Sequence, residues 1–334
     1  MTLVALCQVF MISMIVGLNL GGLQIGSSPF MTLAERFPDE AFLQTGGIPP
    51  DGQGLNELLQ NVWMAIHPPT LFVGFAALIV PFAYAVSGLW TRRYSDWVKP
   101  ALPWAIFGNL VLMAGILMGA YWAYVTLSFG GYWAWDPVEN SSLVPWLVGV
   151  AGIHALVVQK RKGSSQRAAF LLNILAFMLV VYSTFLTRSG ILGDISVHSF
   201  VDLGLYNQLL LWIISMAGVA LSLFAYRYRE LPGREETGSL LSREFLIFAG
   251  AMLLCTLAGV IILGTSTPII GRIFRDSPSG VPIEFYNKWT LPVTVMIAIL
   301  IGLGQLIWWT KMRLETVNKV MLKPLAAAVI STAL

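Results

Sequence analysis

Long apolar runs separated by shorter polar segments make up most of this 334-residue chain. Several runs reach the roughly 20 residues that a helix needs to cross a bilayer. Because the hydrocarbon core offers no water to backbone groups, such spans must be helical. The pattern predicts an all-α, polytopic transmembrane helical bundle with a partial ninth span from about Pro324. It also predicts eight full spans, at about 1–20, 66–90, 102–123, 142–159, 168–187, 206–226, 246–266 and 290–310.

The polar loops differ in charge, and this difference predicts their side of the membrane. Four loops hold fifteen of the twenty lysines and arginines: 91–101, 160–167, 227–245 and 311–323. By the positive-inside rule we expect these loops in the cytoplasm and the intervening loops in the periplasm or an equivalent compartment. The whole chain, 1–334, is then one membrane domain of a bacterial or archaeal cytoplasmic (inner) membrane, or of its organelle equivalent.

Composition narrows the class of protein further. The chain is 57% hydrophobic and 11% charged, against roughly 25% charged in an average soluble domain. Its net charge of +3 lies in the basic loops and gives no indication of nucleic acid. Cys7 and Cys255 occur in apolar runs without a C-x-x-C motif, so neither a redox dithiol nor a zinc site is predicted. Residues 1–20 lack a basic start and an A-x-A-like cleavage site, which favours a retained span over a signal peptide.

Three of the predicted outer loops carry the candidate chemistry: 21–65, 121–141 and 188–205. We expect a short interfacial helix at 56–61, near the end of the longest loop. The chain then reaches His67 at the outer mouth of the second span. Pro68 would occupy the first helical turn there, a favourable position because its missing N–H would be unpaired anyway.

The middle outer loop is dense in aromatic side chains. Its stretch Phe129–Asn140 holds four aromatic rings, two glycines and two carboxylates in twelve residues. Gly130 and Gly131 allow the backbone to approach another group closely, which favours a site for a large planar ligand. The alternative is that Trp133 and Trp135 only anchor helices at the headgroup level.

The two carboxylates of this stretch also have a structural explanation. Asp136, Pro137 and Glu139 would occupy the N-cap, N1 and N3 positions of the fourth span, a capping-box pattern with Asp in place of Ser or Thr. Capping could account for both acids, with contact to a ligand as an addition.

The chain has only three histidines, and two of them fall in outer loops on either side of the aromatic stretch. Imidazoles are common axial ligands of haem iron, and a neutral imidazole is available at neutral pH. His67 and His198 are therefore predicted ligands of haem iron. The alternative is that each is an ordinary interface residue hydrogen-bonded to backbone.

The third histidine lies inside a predicted span. His154 follows Ser141 by thirteen residues, roughly 20 Å along a helix, and an ionisable residue at that depth is a functional candidate. It could hydrogen-bond a neighbouring helix or ligate a second metal centre. In the second case its partner ligand must lie outside this polypeptide, because no fourth histidine exists.

These motifs resemble the tryptophan-rich "WWD" signature of the haem-handling proteins that build c-type cytochromes, and among them the CcmF branch with its NrfE-like members. The resemblance rests on the segment 130–140 and on His67-Pro68-Pro69, Pro145-Trp146, His154, Thr187-Arg188-Ser189-Gly190 and Ser196-Val197-His198-Ser199-Phe200. It extends from roughly Gly22 to the segment 264–287, which is most of the chain.

The resemblance implies a cytochrome c haem lyase component that receives haem from a CcmE-like chaperone. Apocytochrome c, with its thioredoxin-like or CcmH-type chaperones, would bring the two thiols of its C-x-x-C-H motif. These thiols would form thioether bonds with the haem, so no catalytic side chain of this chain is implied. His154 would help to bind a b-type haem that keeps the substrate haem reduced. The substrate haem would be held by a larger set of residues: His67, His198, Trp122, Gly130, Gly131, Trp133, Trp135 and Asp136.

The chain departs from the family pattern in three respects. Relatives often carry Trp at three positions that hold other aromatic residues here: Tyr121, Phe129 and Tyr132. The gap from Gly190 to His198 is about two residues longer than usual. The family normally has further spans, so we expect either a second polypeptide that supplies the remaining helices and the partner of His154, or a truncated copy.

Three alternative functions stay open at this point. A solute transporter should place polar residues and broken helices near the bilayer midplane, whereas the polar and aromatic density here lies at the predicted outer surface. An electron-transfer cytochrome needs paired intramembrane histidines, and this chain offers one. The third alternative is a non-catalytic haem-binding or transport subunit of the same assembly complex.

Overall fold

Long helices form the frame of the protein. The computed structural model describes residues 1–44, 54–126, 131–192, 196, 204–231, 239, 241–271, 274, 279–309 and 312–333. In chain order the helices are α1 Thr2–Ser13, α2 Leu33–Arg36, α3 Ala41–Gln44, α4 Val62–Ala77, α5 Ile79–Thr91, α6 Val98–Val125, α7 Pro137–Lys162, α8 Gln166–Arg188, α9 Tyr206–Arg227, α10 Arg243–Gly271, α11 Ile283–Leu306 and α12 Leu314–Ala333. Short 3₁₀ turns occur at Glu57–Leu59 and Tyr228–Glu230, and an antiparallel hairpin pairs β1 Leu18–Leu20 with β2 Leu23–Ile25.

Seven helical segments of the described chain are long and apolar enough to cross a membrane: Val62–Thr91, Val98–Val125, Pro137–Lys162, Gln166–Arg188, Tyr206–Glu230, Arg243–Gly271 and Ile283–Leu306. The first of them combines α4 and α5, which meet at Leu78. These segments correspond to seven of the predicted full spans. The all-α membrane bundle is therefore confirmed as the class of fold.

The first predicted span is wrong in its extent, and the all-α prediction missed the hairpin. α1 has 12 residues, about 18 Å at 1.5 Å per residue. Gly17 then adopts a φ of +66°, a conformation that glycine reaches without steric cost, and the following leucines enter β1 instead of continuing the helix. Their apolar character suits a strand and a helix equally well.

The predicted position of Pro68 in its helix is also wrong. α4 begins at Val62, because Asn61 caps it by accepting a hydrogen bond from the backbone N–H of Trp63 at 2.9 Å. Asn is among the best N-cap residues. Pro68 therefore lies in the helix interior, and His67 lies in the second helical turn.

The helix at the predicted ninth span begins earlier than expected. α12 starts at Leu314, ten residues before Pro324, and takes in part of the expected basic loop 311–323. It is not among the candidate spans of the described residues. Where the interfacial helix was expected, at 56–61, the structure has the short 3₁₀ turn Glu57–Leu59.

The centre of the bundle is formed by α7 and α8. In the most apolar 18-residue stretch of each of these two helices, 67% of the residues are buried. The corresponding share is 22% in α10 and 11% in α11. Glycines bring α4 and α6 close together: a Cβ added at Gly74 would lie 2.5 Å from the backbone of Leu112, and one at Gly115 would lie 2.7 Å from that of Leu71. Small residues permit such approaches between membrane helices. This contact positions His67.

Candidate functional site

His67 is held against α6 by a hydrogen bond to backbone. Its Nδ1 lies 2.7 Å from the carbonyl oxygen of Gly115. Because a carbonyl oxygen can only accept, Nδ1 carries the proton, and in the neutral ring the lone pair is on Nε2. A bond of this kind at the remote nitrogen is what fixes the tautomer and orientation of metal-binding histidines. The predicted backbone hydrogen bond is present, and it is compatible with both interpretations of His67.

The imidazole of His67 rests directly on a glycine. A Cβ added at Gly119 would lie 2.6 Å from its Cε1 atom. The ring also stacks with Trp122 at a centroid distance of 6.5 Å and an interplanar angle of 21°. Gly115 and Gly119 are one turn apart on one face of α6. The spacing of the two glycines can be seen in the sequence, but the sequence does not show that they face α4.

His67 shares a cavity of about 70 Å³ with parts of the aromatic loop. Trp122 at the end of α6 and Trp133 in the loop line it together with Glu139 at the start of α7. The indole nitrogen of Trp133 is buried and has no hydrogen-bond partner among the described residues. The structure therefore brings together three predicted site residues from three different segments of the chain.

Asp136 and Glu139 cap α7, as predicted. The Oδ1 atom of Asp136 accepts from the backbone N–H of Val138 at 2.8 Å. The Oε2 atom of Glu139 accepts from the backbone N–H groups of Ala134 at 3.0 Å and of Asp136 at 3.2 Å. Through Glu139 the capping box thus also ties the backbone of the WWD loop (the loop 121–141) to α7.

Trp135 is turned towards α11 and is not among the residues that line the cavity of His67. Its ring stacks on Tyr286 with a centroid distance of 5.1 Å and an angle of 9°, and its indole N–H donates to the Oδ1 atom of Asn287 at 2.8 Å. Its backbone has a φ of +56°, which is uncommon outside glycine. The amide of Asn140 donates to its carbonyl oxygen at 3.0 Å. The contact with 286–287 could not be read from the sequence.

A hydrogen bond joins the segment 188–205 to the WWD loop. The hydroxyl of Ser196 donates to the Oδ1 atom of Asp136 at 2.8 Å. Ser196 precedes His198 by two positions in the sequence, and His198 itself lies outside the described residues, as does Gly130. Gly131 is described and has a φ of +137°, with no atom within 4 Å of the place where a Cβ would stand.

His154 occupies a separate place in the half of α7 nearer to Lys162. Its Nδ1 lies 2.8 Å from the carbonyl oxygen of Val150, one turn earlier in the same helix, so the same tautomer follows. The ring lines a cavity of about 470 Å³ between α7, α10 and α11, with Trp146 and Arg243 among the other lining residues. No second histidine among the described residues lines this cavity.

Comparison with known proteins identifies the family. The model of the family described as "Cytochrome C assembly protein" matches residues 1–192. The chain belongs to this family. The match covers the described residues of the candidate site around His67 as far as the end of α8, and it includes His154.

The relatives and one solved structure agree with this assignment. The chain is 37% identical over 289 residues to the cytochrome c-type biogenesis protein CcmF of Haemophilus influenzae, covering 85% of this chain and 42% of that protein. It is 35% identical to CcmF of Escherichia coli K12, with coverages of 89% and 44%, and 34% identical to the probable biogenesis protein NrfE of the same organism, with 76% and 46%.

A solved structure titled "Cytochrome c Heme Lyase CcmF" superposes with a TM-score of 0.64 at 34% identity. It covers 81% of this chain and 40% of that one. The chain thus spans less than half the length of the relatives that it matches. Its apolar helices and its relatives together make it an integral membrane protein.

Proposed function

We propose that this chain carries the outer haem site of a CcmF-type cytochrome c haem lyase. One observation carries the proposal: a histidine in a fixed tautomer, with its lone pair on Nε2, shares a cavity with two tryptophans of the WWD region. A neutral imidazole with an oriented ring is the chemistry that haem iron requires from an axial ligand. The relatives named CcmF support the same function.

In this proposal haem is the substrate, and His67 and His198 are the ligands of its iron. Trp122, Trp133 and the backbone at Gly130 and Gly131 border the porphyrin. The cavity of about 70 Å³ accommodates only part of a porphyrin, so the rest of the ring would extend beside the loop. The contribution of Trp135 and Asp136 is then indirect: they hold the loop against α11 and α7.

The bond-forming step needs no cysteine from this chain. A thiol of the apocytochrome adds across a haem vinyl group: the sulfur forms a bond to one vinyl carbon, the π bond breaks, and the other carbon receives the proton. The step involves no net oxidation. Holding the haem still while the two thiols approach supplies the effective concentration that the reaction requires.

His154 would be one ligand of a b-type haem. The cavity of about 470 Å³ next to it and the orientation of its ring fit such a group. A bound b-type haem would supply electrons that keep the substrate haem reduced. Its second ligand would come from outside residues 1–334, in the remaining CcmF-like helices.

The remaining partners follow from the same proposal. A CcmE-like chaperone delivers haem, and apocytochrome c arrives with its thioredoxin-like or CcmH-type chaperones. These encounters require the WWD loop to face the periplasm or its equivalent. Labelling of single cysteines placed at exposed Tyr132 and exposed Arg229 from either side of sealed vesicles would test this orientation.

The decisive experiment compares three single variants, each purified together with the remaining CcmF-like helices. His67→Ala and His198→Ala are expected to lose the outer haem, while His154→Ala keeps it and loses a different haem with its own optical spectrum. Unchanged haem content in both outer variants would disprove the proposal. Haem binding without transfer to an apocytochrome would instead support a non-catalytic haem-binding subunit.

A further inference from the structure

A third cavity lies at the end of the bundle that carries the basic loops. The last turns of α7 and the first turns of α8 and α10 surround about 530 Å³ of space. His154 does not line this cavity, and neither does any residue of the cavity next to His67. It therefore contains neither His67 nor His154, and it shares one described lining residue, Ile247, with the cavity next to His154.

The lining of this cavity is polar at one end only. Ser165, Gln166, Arg167 and Glu244 form the polar end, and the remaining lining residues are apolar. Along α8 the apolar wall extends to Leu175, eight residues and about 12 Å beyond Arg167. The cavity is thus long and amphipathic, parallel to the helices, with its polar end at the basic loops.

One side of the cavity is open. Phe248 and Met252 of α10 both line it, yet 42% and 52% of their surface is exposed. Both residues lie in a segment that is apolar enough to span a membrane. An apolar opening on such a segment faces lipid and not water.

The polar end carries an excess positive charge. Arg167 donates from Nε and Nη2 to the carbonyl oxygen of Leu231 at 3.2 and 2.9 Å and lies over the ring of Tyr228. No carboxylate among the described residues forms an ion pair with it, whereas Glu244 is already paired with Lys162. The start of α8 adds to this charge through the helix dipole. The N-cap residue Ser165 provides no side-chain hydrogen bond to this helix start.

We propose that this cavity binds an anionic phospholipid of the adjacent leaflet. The phosphate lies at Arg167 and the first turn of α8, and one acyl chain fills the apolar length between α8 and α10. Basic pockets between membrane helices on the cytoplasmic side are known to receive anionic head groups. A free phosphate would leave the apolar wall uncovered, and a zwitterionic lipid would not use the excess charge.

The test is lipid retention by the full chain after delipidation in mild detergent, measured by native mass spectrometry. Phosphatidylglycerol, phosphatidylcholine with the same acyl chains, and inorganic phosphate are the three probes. Wild type should retain phosphatidylglycerol about fivefold better than phosphatidylcholine, and Arg167→Gln should remove that preference. Ala251→Phe, which fills the apolar end, should lower the retention of both lipids.

Matched controls come from positions outside the cavity. Arg229→Gln changes an exposed arginine in the same basic region, and Ala298→Phe enlarges an exposed alanine of α11; both should behave like wild type. Equal retention of the two lipids by wild type, or unchanged retention in Ala251→Phe, would overturn the proposal. So would phosphate that displaces the lipid completely. If Arg167→Gln fails to fold, the wild-type preference and Ala251→Phe still decide.

Discussion

His67 and His154 are oriented in the same way but supported differently. Each imidazole directs Nδ1 to a backbone carbonyl oxygen, at 2.7 and 2.8 Å. The carbonyl for His67 belongs to another helix, 48 residues along the chain, whereas the carbonyl for His154 belongs to its own helix, four residues earlier. The orientation of His67 therefore depends on helix packing, and that of His154 depends on one helical turn.

Their surroundings differ in the same sense. The cavity next to His67 has about 70 Å³ and is lined by residues of α4, α6, the WWD loop and α7, while the cavity next to His154 has about 470 Å³. α10 and α11, which border the larger cavity, are less buried than α7 and α8. A tightly supported site should be sensitive to small changes in packing, and an open one should tolerate them.

The largest effect is expected from Gly119→Val. The new side chain would meet the His67 ring, since even its Cβ lies 2.6 Å from Cε1. Overpacking of this kind costs about 1–3 kcal/mol, and displacement of the ring should lower haem retention by about tenfold or more. Thermal unfolding in detergent and haem stoichiometry measure the two effects. Gly218→Val is the control, because nothing lies within 4 Å of its added Cβ; equal behaviour of the two variants would contradict the proposed support of His67.

A smaller effect is expected from Glu139→Gln, which weakens the link between the WWD loop and α7. The carboxylate accepts two backbone N–H bonds, and the loss of charge at this cap should cost about 1–2 kcal/mol. Hydrogen exchange at the amides of Ala134 and Asp136 should become faster, with no change around His154. Glu284→Gln, an exposed first-turn residue of α11, is the control. Unaltered exchange at both amides would show that the loop is held by other contacts.

Trp135→Phe should have a still smaller effect. The ring can still stack on Tyr286, but the hydrogen bond to Asn287 is lost, at a cost of about 1 kcal/mol. A double-mutant cycle with Asn287→Ala, followed by thermal unfolding, isolates this bond. A coupling energy near zero would mean that Asn287 does not position the loop.

The smallest effect is expected from Gly250→Val. Gly250 lines the cavity next to His154, and no atom lies within 4 Å of an added Cβ. The free energy of unfolding should change by less than about 0.5 kcal/mol. If Gly250→Val lowered the free energy of unfolding as much as Gly119→Val in the same assay, the two histidine sites would be equally tightly packed.

The capping box illustrates what local sequence predicts well. Asp136 and Glu139 are three positions apart, and their hydrogen bonds are formed within that distance. The long apolar spans were predictable for a similar reason, since hydrophobicity over 20 residues is enough to require a membrane helix. The starts of helices were harder to predict. Asn61 caps α4 six residues before His67, although the prolines after His67 favoured a later start.

The prediction grouped Trp133 and Trp135 in one site; in the structure the two rings meet edge to face with centroids 6.1 Å apart, but they contact different partners. Trp133 lines the cavity of His67, whereas Trp135 contacts 286–287, more than 150 positions away. Alternating residues of an irregular loop point in directions that no periodicity describes. Only the positions of the neighbouring helices decide which ring faces which partner.

The sequence by itself determined the membrane class, most spans, the cap of α7 and the family resemblance, because each depends on composition or on residues close along the chain. Tertiary structure alone decided that Gly115 and Gly119 support His67, that Ser196 reaches Asp136, and that a charged amphipathic cavity opens beside α8. These features depend on how closely separate helices approach each other. That distance is set by packing across the whole bundle and is not encoded in any single segment.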